Sequence, residues 1–219
     1  MKNESFKGVL FDLDGTLLDT ANDLGAALNH VLAQHELPSI ERSTYRPIAS
    51  DGAQGLLNLG FGEKLSQFDF QALRQMFLGY YEANIARETC LYPEVKEMLQ
   101  SLNEQSIPWG IVTNKPEYLT TMLLPNFSEF DHCKVMVGGD SLAERKPHPL
   151  PLQHAAKQLA VAPEDCLYVG DALRDIQAGN AANMTTVVAQ WGYIKSQDNT
   201  KDWQADFINQ SPIEILSII

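Results

Sequence analysis

Short apolar runs, each closing on a polar or small residue, recur along the chain. Gly8-Val9-Leu10-Phe11 ends at Asp12, Trp109-Gly110-Ile111-Val112 at Thr113, and Lys134-Val135-Met136-Val137 at Gly138. Cys166-Leu167-Tyr168-Val169 ends at Gly170-Asp171, and Thr185-Thr186-Val187-Val188 at Ala189. The runs are bulky or β-branched and do not alternate with polar residues, the pattern of strands buried on both faces. Helical patterns lie between them. Val95, Met98, Leu99 and Leu102 follow i, i+3, i+4, i+7 spacing just after Pro93, and residues 148–160 and 172–183 also read as helices. Strands separated by helices imply crossover connections and a parallel, doubly wound α/β sheet.

One interval breaks this rhythm. Residues 19–89 hold no convincing strand, but Leu24, Leu28, Val31 and Leu32 form a helical stripe, and residues 53–59 and 70–86 supply others. So long an interval exceeds an ordinary crossover. It reads as a small helical domain inserted after the first strand and placed to cover the site, leaving residues 1–18 and 90–219 as the core.

In a doubly wound sheet, ligands bind beyond the carboxyl ends of the strands, where the polar residues named above fall. Asp12 and Asp14 of Asp12-Leu13-Asp14-Gly15-Thr16 share one side of the first strand's end. Carboxylates so close repel unless a cation lies between them, and an oxygen-only donor set suits magnesium. The Asp-x-Asp spacing alone fits a solvated acidic turn equally well. Asp171 and Asp175 after the fourth strand, Thr113 and Asn114 after the second, and Lys146 before Pro147 change the weighting. Together they supply an acid cluster for a metal, a carboxylate nucleophile and donors for phosphate oxygens, the parts phosphoryl transfer requires.

The ordered set Asp12-Leu13-Asp14-Gly15-Thr16, Val112-Thr113-Asn114, Lys146-Pro147 and Gly170-Asp171-Ala172-Leu173-Arg174-Asp175 resembles the four-motif signature of the haloacid dehalogenase superfamily. Beyond the motifs, residues 91–99, 110–116, 135–140 and 167–179 resemble the branch holding bacterial phosphoglycolate phosphatases. Trp191-Gly192-Tyr193 through Asp198, Trp203 and Asp206 is more similar to N-acetylmuramic acid 6-phosphate phosphatases. The resemblance implies a Rossmann-like core with a helical cap and Mg²⁺-dependent hydrolysis of a phosphomonoester. It implies Asp12 as nucleophile and metal ligand, and Asp14 as general acid then base with its backbone carbonyl on the metal. Thr113 and Asn114 would hold the phosphoryl group, Lys146 would neutralise nucleophile and phosphate, Asp171 would bind magnesium, and Asp175 would bind it or orient its waters. His148 stands where aspartate is commoner after Lys-Pro. The implied substrate is a small phosphorylated carboxylic or sugar acid, 2-phosphoglycolate first and N-acetylmuramate 6-phosphate next. Its carboxylate needs a cation that the core motifs do not provide. Arg46 is the candidate, because it precedes Ser50-Asp51-Gly52 and an arginine stands at a similar place in those phosphatases.

Other chemistries on this fold fit less well. A dehalogenase has no need of the acid–base group that Asp14 offers. A phosphomutase needs water-excluding cap groups that are not identifiable. A receiver domain is shorter and has no inserted cap, and a non-catalytic binder has no need to keep both Asp12 and Asp14.

Composition then narrows the partners. The chain has 219 residues and a net charge of −12, which argues against nucleic acid as a partner but not against a small anion met by a local cation. No segment approaches the ~20 apolar residues of a membrane span, and Val9-Leu10-Phe11 is too short for a signal peptide. Cys90, Cys133 and Cys166 are scattered and unpaired in sequence, and read as buried reduced thiols of a cytoplasmic protein that is a monomer or weak homodimer. His30, His35, His132, His148 and His154 show no metal-ligand spacing and read as structural or solvent-facing. Ser50-Asp51-Gly52 reads either as a turn or as a substrate loop, and Trp191-Gly192-Tyr193 as packing rather than a binding platform.

Overall fold

The computed structural model describes residues 6–219. The strands are β1 (Gly8–Phe11), β2 (Leu18–Asp19), β3 (Cys90–Leu91), β4 (Trp109–Val112), β5 (Val135–Val137), β6 (Cys166–Gly170), β7 (Thr185–Ala189) and β8 (Phe207–Asn209). The α-helices are α1 (Ala21–Gln34), α2 (Arg42–Tyr45), α3 (Gly52–Phe61), α4 (Phe70–Ala83), α5 (Val95–Glu104), α6 (Glu117–Leu123), α7 (Leu150–Gln158) and α8 (Leu173–Ala181). By compactness the chain divides into two units. The larger is the segment ending at Leu18 together with Leu91–Ile219, and the smaller is Asp19–Cys90.

The larger unit is the expected doubly wound α/β sheet of Rossmann-like type. Its six strands run in the order β5-β4-β1-β6-β7-β8, every adjacent pair parallel. The chain leaves β1 toward β4 and β5 on one side, then returns to add β6, β7 and β8 on the other. β1 is therefore the strand at which the winding reverses, and the crevice beyond its carboxyl end is where this topology places a site. Successive β1 residues serve opposite faces. Leu10 joins Val112, Tyr168, Leu152, Ala155 and Ala178 in one core layer, which α7 and α8 cover. Phe11 meets Trp109 edge-on at 6.4 Å, and Trp109 in turn meets Phe130. Apolar cover on both faces explains why the strands read as continuous apolar runs.

β8 has no counterpart among the expected runs. Phe207-Ile208-Asn209 is short and half-exposed at the sheet edge, so burial did not force an apolar signature on it. The cysteine reading needs a correction as well. Cys166 is buried, but Cys133 is only partly so and Cys90 is exposed, because Cys90 sits in a two-residue strand that pairs only with β2.

The smaller unit is helical. Leu24, Leu28, Val31 and Leu32 of α1 are buried with Leu56, Leu57 and Phe61 of α3 and Leu73, Phe77 and Tyr81 of α4. Asp69 caps α4, its carboxylate accepting from the N–H groups of Gln71 and Ala72. The Asp23 carboxylate holds the far end of the unit, accepting from the N–H groups of Glu88 and Thr89 and from the Thr89 hydroxyl at 2.6 Å. Ser50-Asp51-Gly52 is a helical turn, the end of a 3₁₀ segment that runs into α3. No helix among the described residues is long and apolar enough to cross a membrane.

Candidate active site

Asp12 follows β1 directly, and its N–H donates to Val169 O at 2.9 Å. Strand pairing thus fixes its backbone beside the end of β6, where Asp171 emerges. Asp175 lies one helical turn into α8, and its Oδ2 accepts the Ala172 N–H at 3.0 Å. Strand end, turn and helix start bring Asp12, Asp171 and Asp175 together, each offering a carboxylate oxygen within 4.8 Å of the others. All three are buried.

Gly15 and Gly192 make this proximity possible. At Gly15, with φ +91°, a Cβ would lie 2.0 Å from Asp171 Oδ2, and at Gly192 one would lie 2.3 Å from Asp171 Cβ. Only bare backbone fits on either side of that carboxylate. The loop after β7 completes the frame. Tyr193 N–H donates to Asp171 Oδ2 at 2.8 Å, and Trp191 Nε1 donates to Thr16 O at 2.9 Å.

Lys146 is the cation inside this cluster, with a fully buried side chain. Its Nζ donates to Val112 O at 2.8 Å and to the Tyr168 hydroxyl at 2.7 Å. It also lies 2.8 Å from Asp175 Oδ1 and 2.9 Å from Asp12 Oδ1. Asn114 positions the loop that carries it, donating through Nδ2 to Lys146 O at 2.9 Å. The Asn114 donor is thus engaged with protein, while its Oδ1 is buried without a hydrogen bond. Thr113 is buried at the end of β4, and its Oγ1 accepts the Lys115 N–H at 3.1 Å, which leaves its proton available to donate. His148 accepts the Leu150 N–H through Nδ1 at 3.1 Å, at the start of α7.

Three acids with one central lysine remain short of positive charge. Burial, opposed by Lys146 and reinforced by Asp175, raises Asp12 to about 6. Burial and the charges of Asp12 and Asp175 raise Asp171 to about 8, against the opposing Tyr193 N–H. Such a site favours a further cation, and its donors are all oxygen, as a hard divalent ion prefers. Magnesium fits the residues present. Asp12 and Asp171 each offer it a buried carboxylate oxygen. Asp175, satisfied by Ala172, Lys146 and Tyr168, is placed to hold Lys146 and the surrounding shell.

Asp14 lies apart from the three-carboxylate cluster. Its Oδ1 sits 3.1 Å from Nζ of Lys115, a lysine whose side chain is 5% exposed. Arg46 belongs to the smaller unit, where its Nε lies 3.7 Å from Asp19 Oδ2, the same oxygen that Arg42 approaches at 3.3 Å. Two residues escaped sequence reasoning. Lys115 follows the Thr113-Asn114 pair and reads as part of a loop. Tyr168 sits inside an apolar run and reads as core, and nothing in the sequence reveals the lysine that its hydroxyl meets.

A sequence model of the haloacid dehalogenase-like hydrolases matches residues 9–189. The chain belongs to this family. It is 46% identical over 209 residues to a phosphoglycolate phosphatase of Xanthomonas campestris pv. campestris, covering 95% of this chain and 94% of that one. It is 36% identical over 219 residues to an N-acetylmuramic acid 6-phosphate phosphatase of Pseudomonas aeruginosa, covering 100% of this chain and 97% of that one. Among solved structures, a predicted phosphoglycolate phosphatase from Haemophilus somnus superposes with a TM-score of 0.87 at 31% identity, covering 97% of each chain.

Proposed function

We propose that this hydrolase is a magnesium-dependent phosphomonoesterase of a small carboxylated phosphate ester, 2-phosphoglycolate first, acting through an aspartyl-phosphate on Asp12. The observation that carries the reading is the buried cluster itself. Asp12 Oδ1 lies 2.9 Å from Lys146 Nζ, so the nucleophile is buried beside the cation at the centre of the cluster. Asp12, Asp171, the Asp14 backbone carbonyl and the surroundings of Asp175 would hold Mg²⁺. When bound, the ion offsets the charge of the phosphate and of the acids around it.

The residues then divide the reaction into two displacements. An Asp12 oxygen bonds to phosphorus as the bond to the ester oxygen breaks, and Asp14 gives that leaving oxygen a proton. Asp14 next takes a proton from water as the water oxygen displaces Asp12 from phosphorus. Lys146 and the Thr113 hydroxyl meet the phosphoryl oxygens, and Asn114 keeps the Lys146 loop in place.

Phosphoglycolate comes first because of the 46% identity to the Xanthomonas enzyme. A second reading, N-acetylmuramate 6-phosphate, is favoured by the relative that matches the whole chain and by the similarity of the Trp191-Gly192-Tyr193 segment. Arg46 is proposed to meet the substrate carboxylate. The protein is proposed to work in the cytoplasm as a monomer or weak homodimer. The test is purified protein with Mg²⁺ against a panel of phosphorylated metabolites, ranked by kcat/KM. A carboxylated phosphate at the head of the ranking supports the reading. A ranking led by esters without a carboxylate, or no phosphate release at all, would sink it.

A further inference from the structure

Lysine is almost never fully buried unless it is paired, and Lys115 is buried in the same crevice with no part in the reaction derived above. Its backbone is fixed at both ends. The Lys115 N–H donates to Thr113 Oγ1 at 3.1 Å, and Lys115 O accepts the Gly139 N–H at 2.7 Å. The loops after β4 and β5 therefore anchor the residue, and from that anchor Nζ reaches Asp14 Oδ1 at 3.1 Å. Asp14 sits on the loop after β1, 101 positions away in sequence, and its side chain is 14% exposed.

We propose that Lys115 is a positioning residue for Asp14, selecting which carboxyl oxygen exchanges the proton with the leaving group and with water. The proposal rests on the reading of Asp14 as the acid–base group. An ammonium donating to Oδ1 makes that oxygen a poor place for a proton, so the transferable proton sits on Oδ2. In the first displacement the Oδ2–H bond breaks and the proton joins the ester oxygen as it leaves phosphorus. In the second, Oδ2 accepts a proton from the attacking water, and Asp14 is restored. A charged hydrogen bond also holds the carboxyl in one rotamer, so the same oxygen serves both steps.

Two esters separate this role from the others. An alkyl phosphate such as 2-phosphoglycolate expels a basic alkoxide that needs the proton. p-Nitrophenyl phosphate expels a stable anion that does not. Lys115→Met should lower kcat on the alkyl ester on the order of 10²-fold, the scale of general acid catalysis, with at least a tenfold smaller loss on the aryl ester and little change in KM. Lys115→Arg keeps a cation with displaced donors and should show the same split at smaller size. Asp14→Asn with Lys115→Met should be no slower than Asp14→Asn alone, because the lysine acts through the aspartate. The double variant leaves neither buried charge unpaired, so it decides the case even where Lys115→Met fails to fold. Equal losses on both esters with a raised KM would make Lys115 a phosphoryl-gripping residue and overturn the proposal, as would unchanged alkyl turnover. If Asp14→Asn itself keeps full alkyl activity, the acid–base reading falls and this proposal with it.

Discussion

Lys146 Nζ lies 2.9 Å from Asp12 Oδ1, an ion pair with both side chains buried. The ammonium has three N–H groups and four oxygens around it, namely Val112 O, the Tyr168 hydroxyl, Asp175 Oδ1 and Asp12 Oδ1. Its protons cannot point at all four. Backbone and phenol take two of the three, and Asp12 and Asp175 share the remaining one. The field of the lysine favours the ionised form of Asp12 against the burial that opposes it.

Replacing that oxygen is the most direct test of the nucleophile. Asp12→Asn should abolish turnover and the labelled aspartyl-phosphate, because the amide is far less nucleophilic. It should also raise the melting temperature of metal-free protein, since it removes one of three crowded buried carboxylates while Lys146 keeps Asp175. Activity within about tenfold of the parent, near 1.4 kcal/mol, would remove Asp12 from the centre of the reaction.

Tyr168→Phe removes one of the two directed acceptors of Lys146, at 2.7 Å, and the donor facing Asp175 at 3.3 Å. Hydrogen bonds to charged groups contribute about 1.5–3 kcal/mol. The variant should lose stability on that scale, and kcat should fall by roughly tenfold as the ammonium moves off its fixed position. Thermal melts and steady-state kinetics measure both. Parent-like values in each would show that Val112 O and Asp175 suffice to hold the lysine.

Much of this site was legible in the sequence because strand ends in a doubly wound sheet are obligatory places for polar residues. Asp12, Thr113 and Asp171 each close an apolar run, and the runs stood out because both faces of the sheet are covered. The parts that escaped depend on three-dimensional pairing. Tyr168 is as apolar in pattern as its neighbours, and only the arrival of Lys146, 22 positions earlier, gives its hydroxyl a charged partner. Lys115 has an ordinary loop context, and its burial and its partner 101 positions away cannot be read from spacing. β8 lacked a signal because an edge strand need not be apolar.

Arg46 and Arg42 approach the same Asp19 oxygen, at 3.7 and 3.3 Å, so two guanidinium groups face one carboxylate. Arg46→Ala is expected to lower kcat/KM on carboxylated phosphate esters by about 2–3 kcal/mol, the scale of a hydrogen bond to a charged group. Hydrolysis of p-nitrophenyl phosphate, which has no carboxylate, should change little. Equal losses on both substrates would assign Arg46 to the stability of its own unit, and no loss on either would end its role in recognition.

The metal-free cluster makes a prediction in the opposite direction from ordinary paired carboxylates. In the folded chain Asp12 titrates at about 6 and Asp171 at about 8, against 3.8 for an unperturbed aspartate. The unfolded chain therefore releases these protons first as pH rises, and between 3.8 and about 8 the folded state binds more of them. Where the folded state holds the extra protons, stability falls with increasing pH. In EDTA the melting temperature should decline across that window and level off above it. Mg²⁺ should reverse the decline, because the ion binds the ionised acids and its affinity grows as they lose protons. Asp171→Asn should flatten the EDTA profile and weaken the magnesium response together. Calcium, with more ligands at longer distances, should restore stability while failing to support turnover. Thermal melts against pH, with and without each ion, measure all of this. A metal-free melting temperature that rises through the window in the parent protein and is unaltered in Asp171→Asn would show that the acids carry no such strain.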